Sequence, residues 1–114
     1  MLIYIERYKY IRQDNMDIRK ETVNGKTVLY LNGRLDTSNS SILENEINEA
    51  LAETNDLELD LTKLEYMSSS GLRVILLAQK QISAKGGSLV VSNVNEYIME
   101  IFDITGFSNI LTIK

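Results

Sequence analysis

The chain has 114 residues, 44% of them hydrophobic, and its 12 lysines and arginines against 16 aspartates and glutamates give a net charge of −4. This length fits one domain, and the negative charge argues against nucleic acid as a partner. Because the sequence contains neither cysteine nor histidine, disulfides, Cys- or His-ligated metal sites and every Ser–His or Cys–His catalytic pair are excluded.

Residues 1–15 differ from the rest of the chain. They contain three of the six tyrosines and carry a charge every few residues, without the apolar segment of a signal peptide. Met16 opens a new pattern and would itself be a sensible start. We therefore expect residues 1–15 to be a flexible extension or an extra edge strand outside the domain of residues 16–114, unless the start codon has been assigned too far upstream.

The domain opens with a predicted β-hairpin. Residues 17–23 and 27–31 are rich in β-forming residues. They flank Asn24-Gly25, a strong signal for a two-residue hairpin turn. We expect the second strand to end at Asn32-Gly33, because this pair also favours a turn.

A helix and a strand are predicted next. Residues 38–53 repeat apolar side chains at helical spacing, and Ser38 or Asn39 is placed to cap the helix. Residues 57–62 then alternate strictly between leucine and polar residues, which indicates a strand with one buried face. We expect residues 63–67 to form a loop.

The second half of the chain alternates helices with strands. A long, largely apolar helix is predicted over residues 70–85, ending at Gly86-Gly87, and residues 88–92 form a strand. A helix over 94–105 and a short strand over 110–113 complete the order ββαβαβαβ. This alternation predicts an α/β fold with a mostly parallel, mixed β-sheet, packed helices and right-handed crossovers.

Three consecutive serines, Ser68-Ser69-Ser70, run into Gly71 where the most apolar helix begins. A serine at a helix start ordinarily caps free backbone N–H groups, but one cap requires only one hydroxyl. The same N–H groups and the positive end of the helix dipole also favour an added phosphoryl group. The residues alone leave both interpretations open, a helix cap and a phosphorylation site.

A second candidate segment, Gly33-Arg34-Leu35-Asp36-Thr37, lies at the carboxyl end of a strand, where α/β folds place binding loops. Its simpler interpretation is a tight turn in which Asp36 or Thr37 caps the next helix. No second acidic residue adjoins Asp36, so we predict no metal site. No glycine-rich nucleotide-binding motif is present, so we predict no cofactor.

Neither an enzyme nor a membrane-inserted protein is predicted. A nucleophilic serine would have only Asp36 and Arg73 to activate it, which is difficult without histidine, and we assign no catalytic residue. No window approaches 18 consecutive apolar residues, the minimum for a membrane-spanning helix. We therefore expect the protein to be cytoplasmic.

Several segments in uninterrupted order resemble the STAS domain family, and most closely its stand-alone anti-sigma factor antagonists. The resemblance covers residues 16–114, and the serine-glycine helix start is its most specific part. The segments that carry it are residues 31–36, 59–61, 66–74, 85–87 and 102–107.

The resemblance implies a partner switch. The unphosphorylated antagonist binds an anti-sigma factor that is also a GHKL-type serine kinase, and thereby frees a sigma factor for transcription. The kinase phosphorylates the antagonist, the complex dissociates, and a serine phosphatase resets the switch. Matched to the family motif, Ser69 is the acceptor, Ser70 its neighbour and Gly71 the motif glycine, while Asp36 matches the aspartate of the loop near the acceptor.

One position departs from the family motif, because Ser68 stands where an acidic residue often precedes the acceptor. Three hydroxyls are therefore candidates, ranked Ser69, Ser70 and then Ser68. An alternative within the family is a STAS-type small subunit of a membrane transport or other signalling assembly, which binds a partner ATPase without a phosphorylation switch. The resemblance also implies the partner-binding residues, which are Asp36, Thr37, Ser68, Ser69, Ser70, Gly71, Leu72 and Arg73.

Overall fold

The computed structural model of the chain describes residues 5–114. From β2 onward the elements follow the predicted order ββαβαβαβ, with a short 3₁₀ turn before the last strand, which confirms the α/β fold. In chain order the elements are β1 Arg7–Arg12, β2 Met16–Val23, β3 Lys26–Leu35, α1 Ser40–Glu53, β4 Asp56–Met67, α2 Ser69–Ala84, β5 Ser88–Ser92, α3 Glu96–Thr105, the 3₁₀ turn Phe107–Asn109 and β6 Thr112–Ile113.

The six strands form one mixed sheet in which they lie side by side in chain order. β1, β2 and β3 pair antiparallel, whereas β3, β4, β5 and β6 pair parallel. Because β3 and β4 run in the same direction, their carboxyl ends lie at the same end of the sheet. The segments that follow these two strands, and that lead into α1 and α2, therefore meet in space.

A single apolar core fills the space between the sheet and the helices. Leu57, Leu59 and Leu61 point into it from β4, as the alternating pattern predicted, and none of them is exposed to solvent. Ile75 of α2 and Phe102 of α3 are equally buried in the same cluster. Burial of each such side chain stabilises the fold by about 1.5–3 kcal/mol.

The prediction was wrong at the carboxyl ends of β3 and β4. β3 continues past Asn32-Gly33 to Leu35, and β4 continues through the expected loop at residues 63–67 to Met67. The register between the two strands shifts twice because β4 has an extra residue at each shift, which interrupts the alternation of β4. β3 keeps its alternation, and its end was missed because Asn32-Gly33 favours a turn. The longer strands bring the buried side chains of Leu35 and Met67 to the end of the sheet.

The helices begin close to their predicted positions. α1 begins at Ser40 and α3 at Glu96, each two residues later than expected, and α2 begins at Ser69, one residue earlier. Differences of this size are typical of helix ends. Within residues 5–114, no helix combines the length and the apolar character that a membrane crossing requires.

β1 is attached to the domain by backbone pairing with β2 and by ion pairs with α1. Lys9 Nζ lies 3.0 Å from Glu46 Oε2 and 3.1 Å from Glu49 Oε2, and Arg7 pairs with Glu53. The hydrogen bond from Lys9 holds the pKa of Glu49 below its usual value, and the bond to Glu46 raises the pKa of Lys9. All but one of the six β1 residues are exposed, so charge and backbone hydrogen bonds hold this strand more than apolar burial does.

Candidate functional site

The two segments singled out in the sequence lie side by side at the carboxyl end of the sheet. Leu35 and Met67 are the last register pair of β3 and β4, and the Ser68 N–H donates to the carbonyl oxygen of Leu35 at 2.8 Å. Beyond this bond the chains diverge into the loop at Asp36 and into α2. The hydroxyls of Thr37 and Ser70 lie 3.2 Å apart and join the two segments by a hydrogen bond.

The three serines have different surroundings. Ser68 is the N-cap of α2, and its Oγ accepts from the N–H of Gly71 at 3.2 Å. The Ser70 hydroxyl is engaged with Thr37. Ser69 is the first residue of α2 and is exposed, and no side-chain hydrogen bond of residues 5–114 involves its hydroxyl. Capping therefore accounts for Ser68 but leaves Ser69 unexplained.

Asp36 is a preorganised carboxylate. Its Oδ1 accepts from the Ser38 hydroxyl at 2.6 Å and from the Ser38 N–H at 3.0 Å. These hydrogen bonds to Ser38 hold the pKa of Asp36 below its usual 3.8 despite partial desolvation. Asp36 is therefore negatively charged at neutral pH, and its loop lies beside the start of α2.

Asn39 fixes the shape of the Asp36 loop. It occupies the N-cap position of α1 but makes no side-chain cap bond there. Instead its Oδ1 accepts from the Asp36 N–H at 2.9 Å, and its Nδ2 donates to the Arg34 carbonyl at 2.8 Å. The expectation that Ser38 or Asn39 caps α1 through its side chain was wrong, because both side chains bond within the loop.

Gly71 allows α2 to approach the end of β3. A Cβ atom at this position would lie 2.5 Å from Leu35 Cγ, well inside any normal contact. Gly71 and Leu72 are both buried, whereas Arg73 is exposed. Gly71 and Leu72, although predicted to bind the partner, are therefore buried beneath the site, whereas Arg73 lies on its surface.

A column of stacked side chains next to the site was missed in the sequence. The Arg34 guanidinium lies 4.2 Å from the centroid of the Tyr66 ring. The Tyr66 and Tyr97 rings stack with their centroids 6.4 Å apart and an interplanar angle of 23°. Arg34 and Tyr66 are register partners only because of the register shifts between β3 and β4, which the sequence pattern does not reveal.

The arrangement suits docking of a macromolecule more than chemistry on a small one. Within residues 5–114, no group of three or more acidic side chains is placed to hold a metal ion. A cavity of about 390 Å³ lies elsewhere, above β1–β4, and residues such as Tyr10, Arg19 and Tyr30 line it. None of the candidate site residues lines this cavity.

The sequence comparisons place the chain in one family. The model of the STAS domain matches residues 17–114. The chain is 34% identical over 101 residues to the anti-sigma F factor antagonist of Paenibacillus polymyxa, covering 87% of this chain and 86% of that protein. It is 32% identical over 82 residues to the anti-sigma-B factor antagonist of Bacillus subtilis, covering 72% and 75%. These names denote regulators and not enzymes, in agreement with the sequence prediction.

Solved structures show the same fold. SpoIIAA, an anti-sigma factor antagonist, has been determined in its unphosphorylated form and, as a Bacillus cell fate determinant, in its phosphorylated form. Each superimposes on 95% of this chain at 16% identity, with TM-scores of 0.68 and 0.67 and coverage of 87% and 91% of the respective SpoIIAA chains. The mixed sheet and its helices therefore have counterparts in known structures.

Proposed function

This chain belongs to the STAS domain family, and we propose that it is an anti-sigma factor antagonist controlled by phosphorylation of Ser69. In its unphosphorylated form it binds an anti-sigma factor that is also a GHKL-type serine kinase. Phosphorylation releases that partner, and a serine phosphatase restores binding. The protein thereby regulates sigma factor-dependent transcription, and it acts in the cytoplasm, where the kinase has access to ATP.

The state of the Ser69 hydroxyl carries this proposal. It is exposed at the first position of α2 and is not used in a hydrogen bond of residues 5–114, whereas Ser68 caps the helix and Ser70 bonds to Thr37. A kinase must reach a hydroxyl and remove its proton, so an exposed and uncommitted hydroxyl is the best acceptor. This supports Ser69, the residue that the family motif matches to the acceptor, over Ser70 and Ser68.

The charge of a phosphoryl group is sufficient to explain dissociation. Phosphoserine carries about −1.5 to −2 at neutral pH. If a partner carboxylate lies about 6 Å away, an effective dielectric of about 20 gives roughly 3 kcal/mol of repulsion for each pair of unit charges. That corresponds to an affinity loss on the order of a hundredfold. No change of fold is required.

The remaining residues of the proposed interface have supporting roles. Asp36 keeps a fixed negative charge beside the acceptor because Ser38 lowers its pKa. Thr37 ties that loop to α2 through Ser70. We propose that Asp36, Thr37 and Arg73 contact the anti-sigma factor directly, since all three have solvent-accessible side chains.

The assignment of Ser69 is tested by incubating the protein with the candidate GHKL-type kinase from the same genome and ATP. We expect one phosphoryl group on the peptide that contains residues 64–73, located at Ser69 by fragmentation. Ser69→Ala should abolish incorporation, whereas Ser70→Ala should retain it. Ser68→Ala should also retain it, although loss of the helix cap costs about 1 kcal/mol of stability. Normal incorporation into Ser69→Ala would refute the assignment.

A further inference from the structure

We infer that the surface that binds the anti-sigma factor extends beyond the serine site onto the column formed by Arg34, Tyr66 and Tyr97, called here the stacked column, and that Arg34 binds a carboxylate of that partner. This inference rests on the proposed function and adds to it a second contact region, whose residues are not among the partner-binding residues that the family resemblance implies.

The stacked column lies at the same end of the sheet as the serine site. Arg34 and Tyr66 form the register pair immediately before Leu35 and Met67, and the next residue, Ser68, is the N-cap of α2. Because successive side chains of a strand point to opposite faces, a partner that covers Ser69 and the Asp36 loop would reach the column by extending around this end of the sheet. Protein interfaces of ordinary size involve about 20–30 residues on each partner, which is more than the eight residues of the proposed partner-binding set.

The geometry of Arg34 leaves its hydrogen-bonding capacity available. Its guanidinium carbon lies over the Tyr66 ring, 4.2 Å from the centroid, and such a contact does not require the N–H donors of the group. Arg34 is exposed and takes part in none of the ion pairs of residues 5–114. A stacked guanidinium with free donors is preorganised for bidentate binding of a carboxylate.

Tyr97 presents the other end of the column to solvent. Half of its accessible surface is exposed, and the ring is stacked on Tyr66. Its backbone is fixed as well, because Asn95 caps α3 at the Ile98 N–H and donates to the Leu64 carbonyl at 2.9 Å. A restrained aromatic ring loses little entropy on binding, and tyrosine and arginine are enriched among residues that dominate binding energy.

The chain supplies matched controls for both ends of the column. Arg19 lies 4.2 Å above the Tyr30 ring, the same distance as in the Arg34–Tyr66 pair, but on β2. Tyr8 is 58% exposed and lies on the edge strand β1, three strands from β4. Substitution at Arg19 or Tyr8 removes the same chemical group from a surface away from the serine site.

The test compares dissociation constants of the unphosphorylated variants for the purified candidate kinase, measured by calorimetry. We expect Arg34→Met and Tyr97→Ala each to weaken binding at least tenfold, and Arg19→Met and Tyr8→Ala to change it less than twofold. The double variant of Arg34 and Tyr97 should lose less than the product of the single losses, because Tyr66 couples the two side chains. Thermal unfolding of each variant should match that of its control.

Other outcomes separate the inference from the proposed function. If Arg34→Met and Tyr97→Ala bind as tightly as their controls while Ser69→Asp binds poorly, the column is not part of the interface and the switch at Ser69 stands. If Ser69→Asp binds as well as wild type, the proposed function fails whatever the column variants do. If the wild-type protein does not bind the kinase at all, both are overturned.

Discussion

At the scale of single residues, the serine cluster shows why sequence alone leaves the acceptor ambiguous. Its position at a helix start follows from local pattern, and one cap is expected there. The use made of each hydroxyl depends on distant partners, since Ser70 is engaged by Thr37, 33 residues earlier in the chain. Only the folded structure distinguishes the exposed Ser69 from its two neighbours.

Gly71 gives a prediction at the same scale. Gly71→Ala places a methyl group against Leu35. Overpacking of this kind costs about 1–3 kcal/mol, which exceeds the gain of up to about 1 kcal/mol in helix propensity. We therefore expect a net destabilisation of about 1–2 kcal/mol in urea-induced unfolding.

A double-mutant cycle separates the Gly71 clash from other effects. In a Leu35→Ala background the methyl group of Gly71→Ala has room, so the second substitution should be neutral or stabilising. An equal cost of Gly71→Ala in both backgrounds would show that Leu35 is not the group it displaces.

At the scale of elements, the type and order of helices and strands could be predicted, because each long segment has one clear hydrophobic period. The extended ends of β3 and β4 could not. The two register shifts interrupt the period of β4, whereas in β3 the pair Asn32-Gly33, which favours a turn, lies inside the strand. Gly33 belongs to the same irregular region, with a φ of +108°, and a Cβ atom at this position would lie 2.3 Å from the backbone oxygen of Asn15. The pairing of Arg34 with Tyr66, and hence the stacked column, depends on these shifts.

The attachment of β1 to α1 gives a testable prediction at the scale of elements. Of the ion pairs between β1 and α1, Arg7–Glu53 and Lys9–Glu49 are exposed, whereas Glu46 is buried. Exposed pairs contribute little to stability and are screened by salt. Raising the salt concentration from about 0.05 to about 1 M should therefore accelerate hydrogen exchange of the β1 amides several-fold. Exchange in the central strand β3 should not change.

Lys9→Met serves as the control for β1, because Lys9 contacts both Glu46 and Glu49. This variant should exchange faster than wild type at low salt and respond less to added salt. Exchange of β1 that is independent of salt in the wild type would show that backbone pairing alone holds the strand.

At the scale of the whole molecule, the meeting of the two candidate segments follows from topology. Once β3 and β4 are known to be parallel neighbours, the loops after them must lie together, and family resemblance predicted the same proximity. The hydrogen bond between Ser70 and Thr37 and the burial of Leu72 could not be predicted from the sequence, because both depend on how α2 packs against the end of β3. The resulting site is an exposed, charged surface on a well-packed scaffold, which can be switched by charge without refolding.

The central claim is that charge at Ser69 alone governs docking, and the most direct test is the affinity of three proteins for the candidate kinase. Relative to wild type, Ser69→Asp should bind on the order of a hundredfold more weakly, and the difference should shrink at high salt. Ser69→Asn introduces a side chain of nearly the same shape as aspartate but without its charge, and it should bind within about threefold of wild type. Equal binding by wild type and Ser69→Asp, or an equal loss in Ser69→Asn and Ser69→Asp, would contradict the account.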